Sequence, residues 1–257
     1  MDLVLRDARL SDDGPVVDIE IDDGHIRDIC SQSTAVAVET IECAGRVVIP
    51  GLIESHMHLD KALLNKEEPN RDGTLAGAIS VTGALKRRFT PDAVADRARQ
   101  VIDQAIINGT SLIRAHPDVD PIIGLLGVEV LLELRDEYRG RIDLQIVAFP
   151  QEGILKAPGT IDLMREALRR GVDVVGGCTY NEADVADCHR HIDMVFDLAE
   201  EFGVRVDMHA DFADDASDPR FGLAARIAEV TADRGMAGRV AVGHMTSLAG
   251  PPRGERW

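Results

Sequence analysis

Aromatic side chains make up only 4% of this 257-residue chain. No apolar run reaches the roughly 18 residues that a membrane span needs. Positive charge is scarce: 28 Lys and Arg stand against 45 Asp and Glu, a formal net charge of −17. Such an acidic balance repels phosphate backbones and anionic lipid, so neither nucleic-acid binding nor membrane docking is expected. The opening, Met1-Asp-Leu-Val-Leu-Arg-Asp7, has no basic region followed by a long apolar stretch, and no secretory leader is expected there. Cys30, Cys43, Cys178 and Cys188 are not closely paired and read as reduced thiols, which makes a cytoplasmic protein the expectation. With 45% hydrophobic residues the chain can bury a full core, which excludes disorder.

Residues 1–50 read as a small β-rich segment. Short alternating runs (Asp2–Arg9, Val16–Ile21, His25–Cys30) are separated by Asp-Asp-Gly signals at 12–14 and 22–24, the chemistry of hairpin turns. From residue 51 to 249 the rhythm changes. Candidate strands occur at Leu52–His58, Ser111–His116, Ile142–Phe149, Val172–Gly177, Val204–His209 and Val240–His244, the last five at intervals of 30 to 36 residues. Helices are expected between them at Pro91–Asn108, Pro121–Tyr138, Thr160–Arg170, Val185–Phe202 and Pro219–Arg234. Pro91, Pro121 and Pro219 sit where a missing N–H costs little, and Gly109, Gly171, Gly203 and Gly235 follow helix ends as left-handed caps. Strands alternating with helices imply a parallel sheet with helices outside it. Six βα units fit an incomplete (β/α)8 TIM barrel; a complete doubly wound domain is the alternative, although no Gly-rich phosphate turn follows the first strand. Residues 250–257 read as an irregular tail.

Polar residues gather at the C-terminal strand ends, where a barrel keeps its active site. Five of the eight histidines are there: His56, His58, His116, His209 and His244. His56 and His58, one residue apart on a strand, point to the same face. Two neutral imidazoles so placed are a natural start to a metal site, with His209 supplying a third nitrogen across the barrel.

The stretch Val48-Ile-Pro-Gly-Leu-Ile-Glu-Ser-His-Met-His-Leu-Asp-Lys61 resembles the first-strand motif of the amidohydrolase superfamily. Leu144-Gln-Ile-Val-Ala-Phe-Pro-Gln-Glu-Gly-Ile-Leu155 is similar to the third strand of bacterial cytosine deaminases, and Val206-Asp-Met-His209 and Gly243-His244 match that family's fifth and sixth strand ends. The resemblance runs to about Ala249. It implies a metal-dependent hydrolase of non-peptide carbon–nitrogen bonds, a distorted barrel holding one divalent ion (zinc or iron), and a β-sandwich of which residues 1–50 form half. It further implies a deaminase acting on a pyrimidine-like ring or cyclic amidine, or a ring-opening cyclic-amide hydrolase. The implied ligand is a small nitrogen heterocycle, and an intact enzyme is implied to be a homo-oligomer. By residue, it implies metal ligands His56, His58 and His209, a water-orienting His244, and Gln151 on the substrate's amide edge. His116 and Asp118 align with the second-strand end, in contact with substrate or one layer behind it. Gln151 as a helix cap and Lys61 as a solvated or salt-bridged loop residue remain open.

Two departures qualify these expectations. Cytosine deaminases carry a proton-shuttling glutamate where this chain has Phe212, and a phenyl ring accepts no proton. Asp211, Asp214 or Glu182 could take over the task, with a helix cap as the equal reading for Asp211. The superfamily's strand-eight aspartate would lie beyond Trp257, so the chain alone is expected to be truncated and inactive, or a non-catalytic fragment. The fourth candidate strand, Val172–Gly177, contains no lysine to be carboxylated between two metals, which favours a mononuclear site. The absence of Cys-x-x-Cys excludes the unrelated zinc deaminases of the Pro-Cys-x-x-Cys type.

Overall fold

The computed structural model describes residues 1–212 and 218–249, and the chain divides into two compact units, Met1–Gly51 and Leu52–Trp257. Asp214 and the tail from 250 onward lie outside the described residues.

In the first unit, β1 (Leu3–Arg9), β2 (Val16–Asp22), β3 (His25–Cys30) and β4 (Glu39–Glu42) form one sheet in the order β3-β2-β1-β4. Strands β1, β2 and β3 pair antiparallel, while β4 joins β1 in parallel. The β2–β3 turn places both Asp23 (φ 51°) and Gly24 (φ 67°) in the left-handed region, the geometry that lets a two-residue hairpin follow the strand twist. Strand β4, Glu-Thr-Ile-Glu, was not anticipated; it is short, and all four of its residues are exposed. Ala8, Ile19 and Cys43 form the buried cluster of this unit.

The second unit alternates strands and helices: β5 (Leu52–Met57), α1 (Leu75–Lys86), α2 (Pro91–Ile107), β6 (Thr110–Ala115), α3 (Leu126–Glu137), β7 (Asp143–Ala148) and α4 (Thr160–Arg169), then β8 (Val174–Cys178), α5 (Val185–Phe202), β9 (Arg205–Ala210), α6 (Ala224–Asp233) and β10 (Val240–His244). All neighbouring strands are parallel and stand in strict chain order, β10-β9-β8-β7-β6-β5. A doubly wound sheet reverses its strand order at a switch point. None occurs here, so the doubly wound alternative falls and the sheet is that of an incomplete (β/α)8 barrel. No helix among the described residues is long and apolar enough to cross a membrane.

Local chemistry sets most of the boundaries. Thr90 caps α2 by accepting the Ala93 N–H, with Pro91 at the first helical position, and Asp184 caps α5 by accepting from Asp187. Gly109, Gly171, Gly203 and Gly235 all have positive φ after helix ends, as expected. Two helix starts are corrected. Helix α3 begins at Leu126 and not at Pro121, because Asp120 accepts the amides of Ile122 and Ile123 into a tight turn and Gly124 (φ 61°) breaks the helical path. Helix α6 begins at Ala224; Pro219–Phe221 is a separate single turn of 3-10 helix capped by Asp218.

Ile102, Ile113, Leu131, Leu134, Ile146, Met164, Ile192 and Met208 are all under 2% exposed in one contiguous core between sheet and helices. Each such side chain contributes about 1.5–3 kcal/mol by leaving water. Gly176 lets β8 approach β7: a Cβ there would lie 2.7 Å from the Ala148 carbonyl oxygen. This packing fixes the strand ends, and with them the histidines.

Candidate functional site

Three imidazoles meet at the strand ends. His56 on β5, His58 just past it and His209 on β9 have ligand nitrogens that all lie within 4.8 Å of one another. The Nε2 atoms of His56 and His58 are 3.3 Å apart, and the His56 and His209 ring centroids are separated by 4.3 Å. Nitrogens bound about 2.0–2.1 Å from a tetrahedral cation stand about 3.3 Å apart. The tautomers fit as well. His58 Nδ1 donates to the His116 carbonyl oxygen at 2.8 Å, which leaves the Nε2 lone pair facing its neighbours. His209 Nε2 is buried and has no hydrogen-bond partner among the described residues. An orphaned lone pair beside two more neutral nitrogens is a donor set suited to a divalent cation.

Burial keeps these rings uncharged. It pushes His58 and His209 far below the usual histidine range, and together with His116 and His244 it lowers His56 to about 4. An unfolded histidine takes up its proton near pH 6.5, whereas the folded ring stays neutral to lower pH. Proton uptake below pH 6.5 therefore favours the unfolded chain. With metal removed by a chelator, stability is expected to fall as pH drops from 6.5 towards 4. The slope is up to about 1.4 kcal/mol per pH unit for a ring as enclosed as His209. Urea unfolding across this range checks it; stability that stays flat to pH 5 would contradict neutral burial.

Below the three rings lies a charged layer in which His116, a sequence candidate, meets Arg114 and Asp207, to which the sequence reading gave no role. His116 is fully buried, and its Nε2 is 3.5 Å from Asp207 Oδ1. Arg114 donates to Asp207 Oδ2 at 2.6 Å and to Gln145 Oε1 at 2.6 Å. Burial raises the Asp207 carboxyl, but His116 and Arg114 outweigh it and hold the acid ionised. Both Arg114 and Asp207 precede a strand-end histidine by two residues, so the period of the strand was the signal available. His116, Asp207 and His209 also form a compact group, in which His209 is shared with the first cluster.

His244 closes another side, its ring 4.9 Å from His56 and 4.8 Å from His209. Its backbone is in the left-handed region (φ 70°), as are those of Met245 (φ 55°) and Asp211 (φ 55°). Non-glycine residues adopt this at a cost of order 1–3 kcal/mol each, and such strain concentrates at functional sites. Two backbone bonds lash the strand ends together, Met245 N–H to Ala210 O and Ser247 N–H to Asp211 O. Phe212 packs on His244 at 4.6 Å and stacks on Tyr180 at 5.0 Å.

The two described carboxylates considered as substitutes for the missing glutamate are committed elsewhere. Asp211 accepts the amides of Leu223 and Ala224 at 2.7 and 3.0 Å, so the helix-cap reading holds at the start of α6. Glu182 accepts from the Ile154, Leu155 and Lys156 amides and from His191 Nδ1. It fixes the loop that carries Gln151.

Gln151 does not cap a helix. Its Oε1 accepts from Lys61 Nζ at 2.9 Å, and Nε2 faces Cys178 Sγ at 3.9 Å. Of the two readings for Lys61 the salt-bridged one applies: it also donates to Asp118 Oδ1 at 2.6 Å. Asp118 lies behind this pair, where its second oxygen meets Lys86 Nζ at 2.7 Å. Lys86 further contacts Asp120 (2.9 Å) and Glu152 (2.8 Å). Burial opposes the charge on Lys86, but Asp118 and Asp120 outweigh it and hold the ammonium protonated above its usual range. Asp60, bonded to the Asp118 amide, is pushed up to about 6 by burial and by the Asp118 carboxylate. A pocket of about 170 Å³ beside His58 is lined by Lys61, Lys86, Gln151, Glu152 and one face of α1. Helix α1 was missed in the sequence, yet it walls this pocket.

Comparison with known proteins fits this geometry. The Amidohydrolase family profile matches residues 39–255. N-isopropylammelide isopropyl amidohydrolase of Pseudomonas sp. (strain ADP) is 30% identical over 259 residues, covering 98% of this chain and 62% of that protein. A pterin deaminase of Rhizobium rhizogenes is 29% identical over 235 residues, covering 90% of this chain and 52% of that protein. The crystal structure of 5-methylcytosine deaminase from Klebsiella pneumoniae liganded with 5-fluorocytosine superposes with a TM-score of 0.88 at 33% identity, over 95% of this chain and 59% of that one. This chain therefore spans between half and two thirds of the length of these relatives. With a family match over most of its residues and the histidines gathered at the strand ends, the chain belongs to the amidohydrolase family.

Proposed function

We propose that this chain carries the metal-binding part of a hydrolase that cleaves carbon–nitrogen bonds other than peptide bonds, releasing ammonia or an amine from a small nitrogen heterocycle. The observation that carries the reading is the convergence of the His56, His58 and His209 lone pairs, with His209 Nε2 orphaned. Relatives named for N-isopropylammelide, pterin and 5-methylcytosine point to the same class of ring. These three histidines would hold one divalent ion, zinc or iron. When bound, such an ion supplies Lewis acidity and lowers the pKa of a water towards about 7.

The chain's own residues then have distinct tasks. His244, held by its strained backbone against His56 and His209, orients the attacking water and accepts its proton. His116, pinned between the metal histidines and Asp207, keeps their rings in place. Gln151, fixed by Lys61, orients the heterocycle. Phe212 makes the wall beside His244 apolar and removes the acid–base group that a cytosine-type ring needs for protonation at nitrogen.

Substitution of Phe212 by glutamate is therefore expected to raise the rate on cytosine, by on the order of 10²–10⁴ if the new carboxylate is correctly placed. The assay is ammonia release across pyrimidines, triazines and cyclic ureas by the chain extended to carry the strand-eight aspartate, with ring opening followed in parallel. Unchanged or lower activity of Phe212→Glu on cytosine would remove Phe212 as the specificity switch. Ring opening without ammonia release would identify a cyclic-amide hydrolase instead.

A further inference from the structure

We propose that Lys61 converts Gln151 into a donor-only recognition edge, so that the pocket selects rings presenting two adjacent lone pairs, a carbonyl oxygen next to an unprotonated ring nitrogen. This inference rests on the proposed heterocycle-binding function and specifies the ring chemistry.

A free glutamine amide reads a lactam edge in either sense, since it offers both a carbonyl acceptor and an NH₂ donor. Here the choice is made by the protein. An ammonium has no acceptor lone pair, so the Gln151 atom 2.9 Å from Lys61 Nζ is the oxygen. The NH₂ is therefore the free end, and among the described residues it faces the weak acceptor Cys178 Sγ at 3.9 Å. The Gln151 backbone is held separately, its carbonyl accepting from Asn181 Nδ2 at 2.9 Å, which limits rotation of the loop.

Lys61 itself is not free to leave. Its ammonium is bonded at 2.6 Å to the fully buried Asp118, whose other oxygen is taken by Lys86. The positive charge thus stays beside Gln151 Oε1 and lines the same pocket as His58. A ligand N–H directed at that oxygen meets like-signed charge, whereas a ligand lone pair is attracted by both Nζ–H and Nε2–H. Hydrogen bonds to charged groups are among the stronger ones, so the expected discrimination is about tenfold or more.

The test is equilibrium binding of 1-methylcytosine and 1-methyluracil to the chain, with metal removed by a chelator so that neither ring reacts. The two are nearly isosteric, and beside the 2-oxo group one has a bare N3 and the other an N3–H. The wild-type chain is expected to favour 1-methylcytosine by about tenfold or more. Lys61→Met is expected to bring the ratio near unity, because Gln151 can then rotate to either sense. Lys61→Arg, which keeps the charge and the donors, is expected to retain the preference. Equal affinity of the wild type for both rings, or a preference that survives Lys61→Met, would overturn this inference and leave the hydrolase reading standing. Failure of the wild-type chain to bind either ring would overturn both this inference and the proposed ligand class.

Discussion

Replacing His58 with alanine is expected to take the divalent-ion content of the purified chain from about one per chain to less than about a tenth, with affinity falling by more than about 100-fold. Loss of an outer partner of a metal site already costs 10- to 100-fold, and loss of a ligand costs more. His58 is the informative position because its tautomer is set by the protein. The Nδ1–H bond to the His116 carbonyl leaves Nε2 deprotonated, 3.3 Å from His56 Nε2. Without it, only two rings, from different strands, remain. Elemental analysis after exhaustive dialysis, on protein whose circular dichroism matches wild type, checks the expectation. A variant that keeps its ion would place the cation elsewhere, for example at His116, Asp207 and His209.

The second large effect concerns the fold. Lys86→Ala is expected to destabilise the chain by about 3–5 kcal/mol, the usual consequence of leaving buried charges without their partner. Lys86 is 2% exposed and faces three carboxylates within 2.9 Å, two of them, Asp118 and Asp120, almost wholly buried. Typical domains have only about 5–15 kcal/mol of net stability, so this is a substantial fraction. Lys86→Met keeps most of the packing and removes the charge, and it is expected to cost nearly as much. Urea unfolding gives both numbers, and a loss under about 1 kcal/mol for Lys86→Met would mean that water or rearranged side chains compensate the carboxylates. Because Lys86 ends α1 and Asp118, Asp120 and Glu152 follow β6 and β7, the same substitution would loosen the wall of the pocket beside His58.

The histidine cluster was legible in the sequence because each member ends an apolar run, and the runs are punctuated by glycines that stop helices, with Pro91 and Thr160 opening two of them. His56 and His58 share a face by the period of a strand, and the third member of the metal set, His209, had to be brought from 151 residues beyond His58. The Asp207–Arg114 layer obeys the same period but was obscured by its charge, which reads as surface until a partner is known. Helix α1 was not legible: Leu-Ala-Gly-Ala-Ile-Ser-Val-Thr-Gly-Ala-Leu-Lys contains two glycines and β-branched residues, and little of its surface is charged to mark an outer face. The Lys86 cluster has no sequence signature at all, since its members come from separate segments and meet only through tertiary packing. Asp211 illustrates a choice that spacing cannot make. Its position beside His209 suits acid–base work, yet its two oxygens are spent on the first amides of the next helix.

The most direct test is to locate the ion. Crystals of the chain grown with zinc, measured at the zinc absorption edge, are expected to give one anomalous peak within about 2.0–2.2 Å of the Nε2 atoms of His56, His58 and His209. No peak there at full zinc occupancy of the solution, or rings turned so that the three nitrogens cannot reach a common point, would contradict the assignment of this cluster as a metal centre.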